Sequence, residues 1–319
     1  MNRKNVGKFI MEQKSLLFIL AIMLIMTFAS PYFWTWTNIH NILLQTSTYG
    51  VLLVGTTFIL IAGECDLSLG GNFCISGITV IMVSRVAPLP VAILAALAIG
   101  LLIGCVNGVL VVMLRAESFI ITFGFGTLLR GICKVWTNAH PVAGTNEAYA
   151  AFGSMRIFGI SVIVLIFLVM IFLGNSVLNR TQFGRNIYAI GGNFTVAEYS
   201  GINAKKIRFI CYLISGVIGA FGGILFSARM NTGASTYGEY IPLMVNCSAV
   251  IGGTSFNGGT GSAAKSVSGI LLLTILEISM NLLGIATAPQ MLTKGLLIVF
   301  IIALDSYSTM KREMRQANA

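Results

Sequence analysis

Between two strongly apolar stretches the chain carries Gly63-Glu64-Cys65-Asp66-Leu67-Ser68-Leu69-Gly70-Gly71, which sets two carboxylates and three helix-weakening glycines where an uninterrupted membrane helix would otherwise be read. Backbone exposed to lipid has to satisfy its hydrogen bonds internally, and an ionisable side chain at bilayer depth costs about 3 kcal/mol on insertion scales. Such an interruption belongs in a protein-lined interior or at a membrane surface. It points to a passage for solute.

Composition extends this reading to the whole chain. Of its 319 residues, 56% are hydrophobic and 9% are charged, where a soluble domain carries about 25% charged residues. The expected fold class is all-α, a polytopic membrane protein. A spanning helix needs about 20 apolar residues. Clear segments run from Ser15 to Phe33, Leu43 to Ala62, Leu89 to Leu114, Ile157 to Leu178, Ile207 to Ala228, Ser266 to Leu283 and Met291 to Leu304. Leu67 to Val83, Phe119 to Trp136 and Pro242 to Ile251 are Gly-rich, charge-bearing or short. The sum is about ten transmembrane helices, some of them broken or short. The basic start followed by an apolar run mimics a signal peptide, but Tyr32, Phe33, Trp34 and Trp36 follow as an interfacial belt, so the first helix is read as uncleaved.

If all ten segments cross, the termini and the loop from Asn179 to Lys206 share one side. That side then holds fourteen of the twenty basic residues, among them Arg115, Arg180, Arg185, Lys205, Lys206, Arg208 and Lys265, while Arg85, Arg156 and Arg229 lie opposite. The positive-inside rule makes the richer side cytoplasmic. The expected organisation is a cytoplasmic tail over residues 1–14, one transmembrane domain over 15–304 with a cytoplasmic loop at about 179–206, and a cytoplasmic tail over 305–319. The net charge of +10 is thereby explained without nucleic acid.

Two outer loops, Thr137 to Met155 and Met230 to Ile241, are long enough to meet an extracytoplasmic partner, although plain connections are the simpler reading. Inside, Gly184 to Ile207 reads as a structured loop holding a short surface helix: Thr195 and Glu198 fit a capping box, Val196 and Tyr199 offer an apolar side, and Gly201 is a natural stop. Its small residues also suit insertion into a groove on another protein. Six cysteines lie singly in apolar segments, without a CxxC and apart from His40 and His140, which speaks for buried thiols and against disulfides or a metal site. Gly259 to Ser266 approaches a phosphate-binding loop, but Ala264 stands where the second glycine is required. With no nucleophile and base pair either, the chain is expected to bind no cofactor and to hydrolyse nothing.

Asp66 and Ser68 are candidates for lining the solute pathway or for holding a broken helix end. Asn107 and Thr122 are candidates for contacting solute hydroxyls or for polar contacts between helices. Arg130 and Lys134, four apart near the outer end of a helix, read as snorkelling side chains, and Glu277 and Lys294 as an internal tether.

Gly63 to Gly70 resembles the GGIDLSVG signature of permease subunits from the ribose/xylose/galactose family of ATP-binding-cassette importers. Matching elements follow in order: Asn107-Gly108, Phe119-Ile120-Ile121-Thr122 with Gly124, Gly184-Arg185, Gly191-Gly192-Asn193, Ser200-Gly201-Ile202, and Gly252-Gly253-Thr254-Ser255 with Gly258, Gly259 and Gly261. Glu64 and Cys65 depart from the signature, replacing a glycine and an isoleucine.

The resemblance implies a permease subunit that pairs with a second permease chain, identical or homologous, around a central monosaccharide pathway in the bacterial cytoplasmic membrane. Cytoplasmic ATP-binding subunits would carry ATP and magnesium, and an extracytoplasmic solute-binding protein would deliver the sugar. Asn193, Val196, Glu198, Tyr199, Gly201 and Ile202 would form the helix that couples to the ATPase. The alternatives are a permease for nucleosides or branched-chain amino acids, with Asp66-Leu67-Ser68 favouring sugar, and an ion-coupled carrier working alone, for which Glu64, Asp66 and Glu277 are too few and too separated to make a relay.

Overall fold

The structure, a computed structural model, describes residues 14–296, 299–300 and 303. Apart from Lys14 the expected tails lie outside the described residues, as does part of the last apolar segment. The described chain runs α1 (Lys14–Ala29), α2 (Trp36–Ile61), α3 (Leu69–Val83), α4 (Leu89–Gly108) extended by a π turn (Val109–Met113), and α5 (Ser118–Trp136). It continues through β1 (Val142–Ala143), α6 (Glu147–Ser154), β2 (Arg156–Ile157), β3 (Ile160–Ser161), α7 (Val162–Arg180), α8 (Gln182–Gly192) and α9 (Phe194–Tyr199). α10 (Ala204–Met230), β4 (Thr232–Gly233), α11 (Ile241–Ile251) and α12 (Ala263–Leu282) follow, then helical residues 287–296.

Six helices among the described residues are long and apolar enough to cross a bilayer, and α1, α3 and α11 are shorter apolar helices. The protein is an all-α polytopic membrane protein, and each expected apolar segment, as far as it is described, falls mainly on a helix. The boundaries moved where polar residues are helical. α2 begins at Trp36 rather than Leu43 because Thr35 caps it, its hydroxyl accepting from the Asn38 N–H, while the Asn38 amide donates to the Phe33 carbonyl at 2.7 Å. The cytoplasmic-loop reading needs two corrections. Two helices stand there rather than one, since Thr181 starts α8 by accepting from the Gly184 N–H at 3.1 Å. The cap of α9 is Asn193, which accepts from the Val196 N–H at 3.0 Å, and not Thr195.

α10 is the centre of the bundle and packs on α2, α3 and α4. Without a hydrophobic drive between helices in lipid, close approach depends on small residues, and α10 supplies Ser215, Gly216, Gly219, Ala220, Gly222 and Gly223 along its inner side. A Cβ at Gly216 would lie 2.8 Å from the Cα of Gly104 in α4, and one at Gly223 would lie 3.1 Å from the Cα of Phe73 in α3. Asn72 of α3 locks the approach by donating to the Gly216 carbonyl at 2.7 Å.

At 27 residues α10 is about 40 Å long, and it separates two differently built ends. Near its start are α8 and α9. Near its finish the loops from Thr137 to Met155 and from Met230 to Ile241 are not independent: β1 pairs antiparallel with β4, Val142 opposite Gly233, and the buried Tyr149 of α6 donates its hydroxyl to the Ile224 carbonyl at 2.6 Å.

Gly223→Val should destabilise the protein by about 1–3 kcal/mol or more, because the added methyls meet Phe73 backbone that cannot yield. Gly192→Ala, where a Cβ meets nothing within 4 Å, should stay within about 0.5 kcal/mol of the parent. Thermal unfolding of both in the same detergent checks this, and equal midpoints would contradict the packing.

Candidate functional site

α2 ends in a Schellman turn. Gly63, at φ +78°, donates to the Leu60 carbonyl at 2.9 Å, and Glu64 donates to the Ile59 carbonyl at 3.1 Å. Four further residues, Cys65 to Ser68, pass before α3 starts, and their backbone runs through the protein interior, so each N–H and carbonyl needs a partner there. The side chains of α5 and α10 supply them. The Cys65 N–H donates to the Ser118 hydroxyl at 3.3 Å and the Leu67 N–H to the Thr122 hydroxyl at 3.0 Å. The Cys65 carbonyl accepts from the Tyr212 hydroxyl at 3.3 Å.

Asp66 closes the knot. One carboxylate oxygen accepts from the Ser68 N–H at 2.9 Å and the Ser68 hydroxyl at 2.6 Å, and the other accepts from the Ser215 hydroxyl of α10 at 2.6 Å. Asn107 of α4 donates its amide to the Ser68 hydroxyl at 2.6 Å. Asp66, Ser68, Asn107 and Thr122 are 2%, 1%, 0% and 0% exposed, so the four residues singled out in the sequence meet in one buried network. Apart from the Asn107 Oδ1, which has no hydrogen-bond partner among the described residues, their polar atoms are turned to one another and to the interrupted backbone. Ser215 and Tyr212 complete the network and were missed, because in the sequence Ser215 is one more small residue in a packing run and Tyr212 one more aromatic in an apolar helix.

Beneath the break opens a cavity of about 540 Å³, lined by Gly63, Glu64, Arg115, Glu117, Lys205 and Arg208 among others. Glu64, the departure from the signature glycine, finds a partner here: its carboxylate lies 2.7 Å from the Arg208 guanidinium. The same guanidinium stacks 4.6 Å above the ring of Phe194, the first residue of α9. Glu198 also faces this cavity.

The remaining candidate coupling residues form an elbow. Asn193 caps α9, Ala197 is buried against Ile190 and Ala204, and Ile202 packs beside them. Gly201, at φ +81°, turns the chain toward α10. Val196 and Tyr199 project outward, 58% and 89% exposed.

The glycine motifs also converge. A Cβ at Gly258 would lie 2.8 Å from the Gly63 Cα, and one at Gly259 would lie 2.7 Å from the Gly192 Cα, while the Gly259 N–H donates to the Ile61 carbonyl at 2.9 Å. The end of α2, the end of α8 and the loop after α11 therefore meet backbone to backbone. That loop repeats the local design of the break, since Gly253 (φ +95°) and Thr254 donate to the Val250 and Ala249 carbonyls, each at 2.9 Å. Elsewhere the expected tether is present, with Lys294 3.0 Å from Glu277. All six cysteines are free and five are buried.

The buried Asp66 carboxylate takes its hydrogen bonds from the Ser68 N–H and from the Ser68 and Ser215 hydroxyls, an arrangement that fixes the start of α3 against α10. The family model described as branched-chain amino acid transport system / permease component matches residues 38–303. The chain is 36% identical to the ribose import permease protein RbsC of Escherichia coli strain K12 over 302 residues, 93% of this chain and 94% of that protein. It is 33% identical to the RbsC of Bacillus subtilis strain 168, over 91% of this chain and 90% of the relative. The galactose/methyl galactoside import permease protein MglC of Haemophilus influenzae is 30% identical over 97% of this chain and 98% of its own length. No solved structure gives a significant match. Matched along most of its length, the chain belongs to this family of transport-system permeases, where it stands beside the ribose and galactose import permeases.

Proposed function

We propose that the chain is the membrane subunit of an ATP-binding-cassette importer that moves a monosaccharide across a bacterial cytoplasmic membrane, both termini lying in the cytoplasm. The observation that carries this is the full-length similarity to permeases named for ribose and galactose import, joined to an elbow whose two most prominent apolar side chains, Val196 and Tyr199, are exposed. The family description names branched-chain amino acids, and that substrate class is the second reading.

The pathway runs along α5. One face of this helix, Thr122, Gly126, Leu129 and Cys133, is buried against the rest of the chain. The other exposes Gly124, Thr127 and Gly131, and a Cβ at either glycine would meet nothing within 4 Å. Arg130 reaches Thr127 at 3.3 Å. Polar groups on a spanning helix belong on a protein-lined or watered side rather than in lipid, so this face is assigned to a second permease chain across the solute path. Asp66, Ser68, Asn107 and Thr122 then shape the path from behind, by fixing the start of α3 and the buried face of α5. The ATP-binding subunit, with ATP and magnesium, docks on α9, and the β1 and β4 cap receives the solute-binding protein.

Replacing Val196 by Ser together with Tyr199 by Ala should lower co-purification of an ATP-binding subunit at least about tenfold, as removal of central apolar anchors does at protein interfaces. The variant should keep the parent's thermal midpoint. Unchanged co-purification would remove α9 as the docking element, and absence of any ATP-binding subunit from the parent preparation would overturn the importer reading.

Asp66→Ala leaves the Ser68 N–H and two hydroxyls without their acceptor. It should cost about 1–3 kcal/mol for each buried group so orphaned, with Asp66→Asn costing less. Denaturation midpoints in detergent give the ranking, and an Asp66→Ala protein as stable as the parent would contradict the knot.

A further inference from the structure

Arg208 joins, through a single side chain, two parts of the protein that also meet by backbone contact. On one side it holds Glu64 at 2.7 Å in the helix break, and on the other it lies 4.6 Å over Phe194 at the start of α9. The ion pair is substantially withdrawn from water, with the Arg208 and Glu64 side chains 22% and 10% exposed. Parting a pair of that kind leaves two poorly solvated charges, so the partners move together more readily than they separate. The planar guanidinium stacks and bridges at the same time, which an ammonium does not do.

α9 is set off from its neighbouring helices at both ends by non-helical backbone. Asn193 joins it to α8 in extended conformation and Gly201 turns at φ +81° before α10. The break likewise begins with a turn at Gly63, whose φ is +78°.

We propose that Arg208 is a positioning residue that transmits displacement of α9 to the helix break. When α9 shifts, Phe194 carries the guanidinium with it, and Glu64 draws the segment leading to Asp66. This inference rests on the importer reading and adds to it the residue through which ATP-driven docking reaches the membrane interior.

Cys65 provides a reporter inside the break itself, since it is 5% exposed and adjoins Glu64. The experiment uses the assembled transporter in vesicles, with the other five cysteines replaced by Ser or Ala, and follows modification of Cys65 by N-ethylmaleimide with and without ATP turnover. In the parent, ATP should change the modification rate by about tenfold, within the usual span of coupled sites. Arg208→Gln and Glu64→Gln should still assemble and hydrolyse ATP. The ATP-dependent change should fall below about twofold in each, with transport per ATP falling in proportion. Arg208→Lys should be intermediate, and the exchange of Glu64→Arg with Arg208→Glu should recover part of the change.

Full ATP-dependent modification and uptake in an assembled Arg208→Gln transporter would overturn the proposal. If that variant fails to assemble, the same result in Glu64→Gln overturns it equally. A parent that transports without an ATP-binding subunit brings down the importer reading, and this inference with it.

Discussion

Everything in this protein is arranged around the need to satisfy a stretch of non-helical backbone inside a membrane bundle. Between Gly63 and Ser68 the chain abandons the helical ladder, and in a bilayer no water is at hand to replace it. The Asp66 carboxylate, the Thr122 and Ser118 hydroxyls, and Tyr212 take over the freed groups, with Ser215 and Asn107 holding the carboxylate and Ser68 in turn. Because these partners come from α4, α5 and α10, one local interruption fixes the mutual placement of four helices. Removing the interruption would remove the reason for their arrangement.

Close packing follows from the same demand. For α10 to bring Ser215 to Asp66 it has to lie against α3 and α4 with little side chain between, and the glycines at 100, 104, 216 and 223 permit that approach. At the other edge of the break, Gly191, Gly258 and Gly259 let three chain segments meet at backbone distance. The exposed elbow of α9 is thereby tied to the buried knot by backbone contact as well as by the Glu64 and Arg208 pair.

Much of this was legible in the sequence, and the remainder was hidden for identifiable reasons. Apolar length located the spanning helices, and a carboxylate amid glycines located the break. Opposite charges inside one apolar segment and at the start of the next made the Glu277 and Lys294 pair readable in advance. Ser215 and Tyr212 left no trace, since a hydroxyl in a helix of small and apolar residues looks the same whether it packs or pairs. The partner of Glu64 stands in a helix far along the chain, and only the fold brings it near. α8 does carry an apolar stripe, Phe183, Ile187 and Ile190, but it is only 11 residues long and interrupted by glycines, and the pairing of β1 with β4 spans only two residues on each strand. The glycine motifs were recognisable as a set, yet their convergence at one junction is a property of three dimensions.

The most direct measurement is uptake into vesicles holding the chain with its co-purified ATP-binding subunit and a solute-binding protein, comparing labelled ribose, galactose and leucine with and without ATP. Accumulation of a sugar that requires ATP is the predicted result. Accumulation of leucine in place of sugar, or sugar uptake indifferent to ATP, would contradict it.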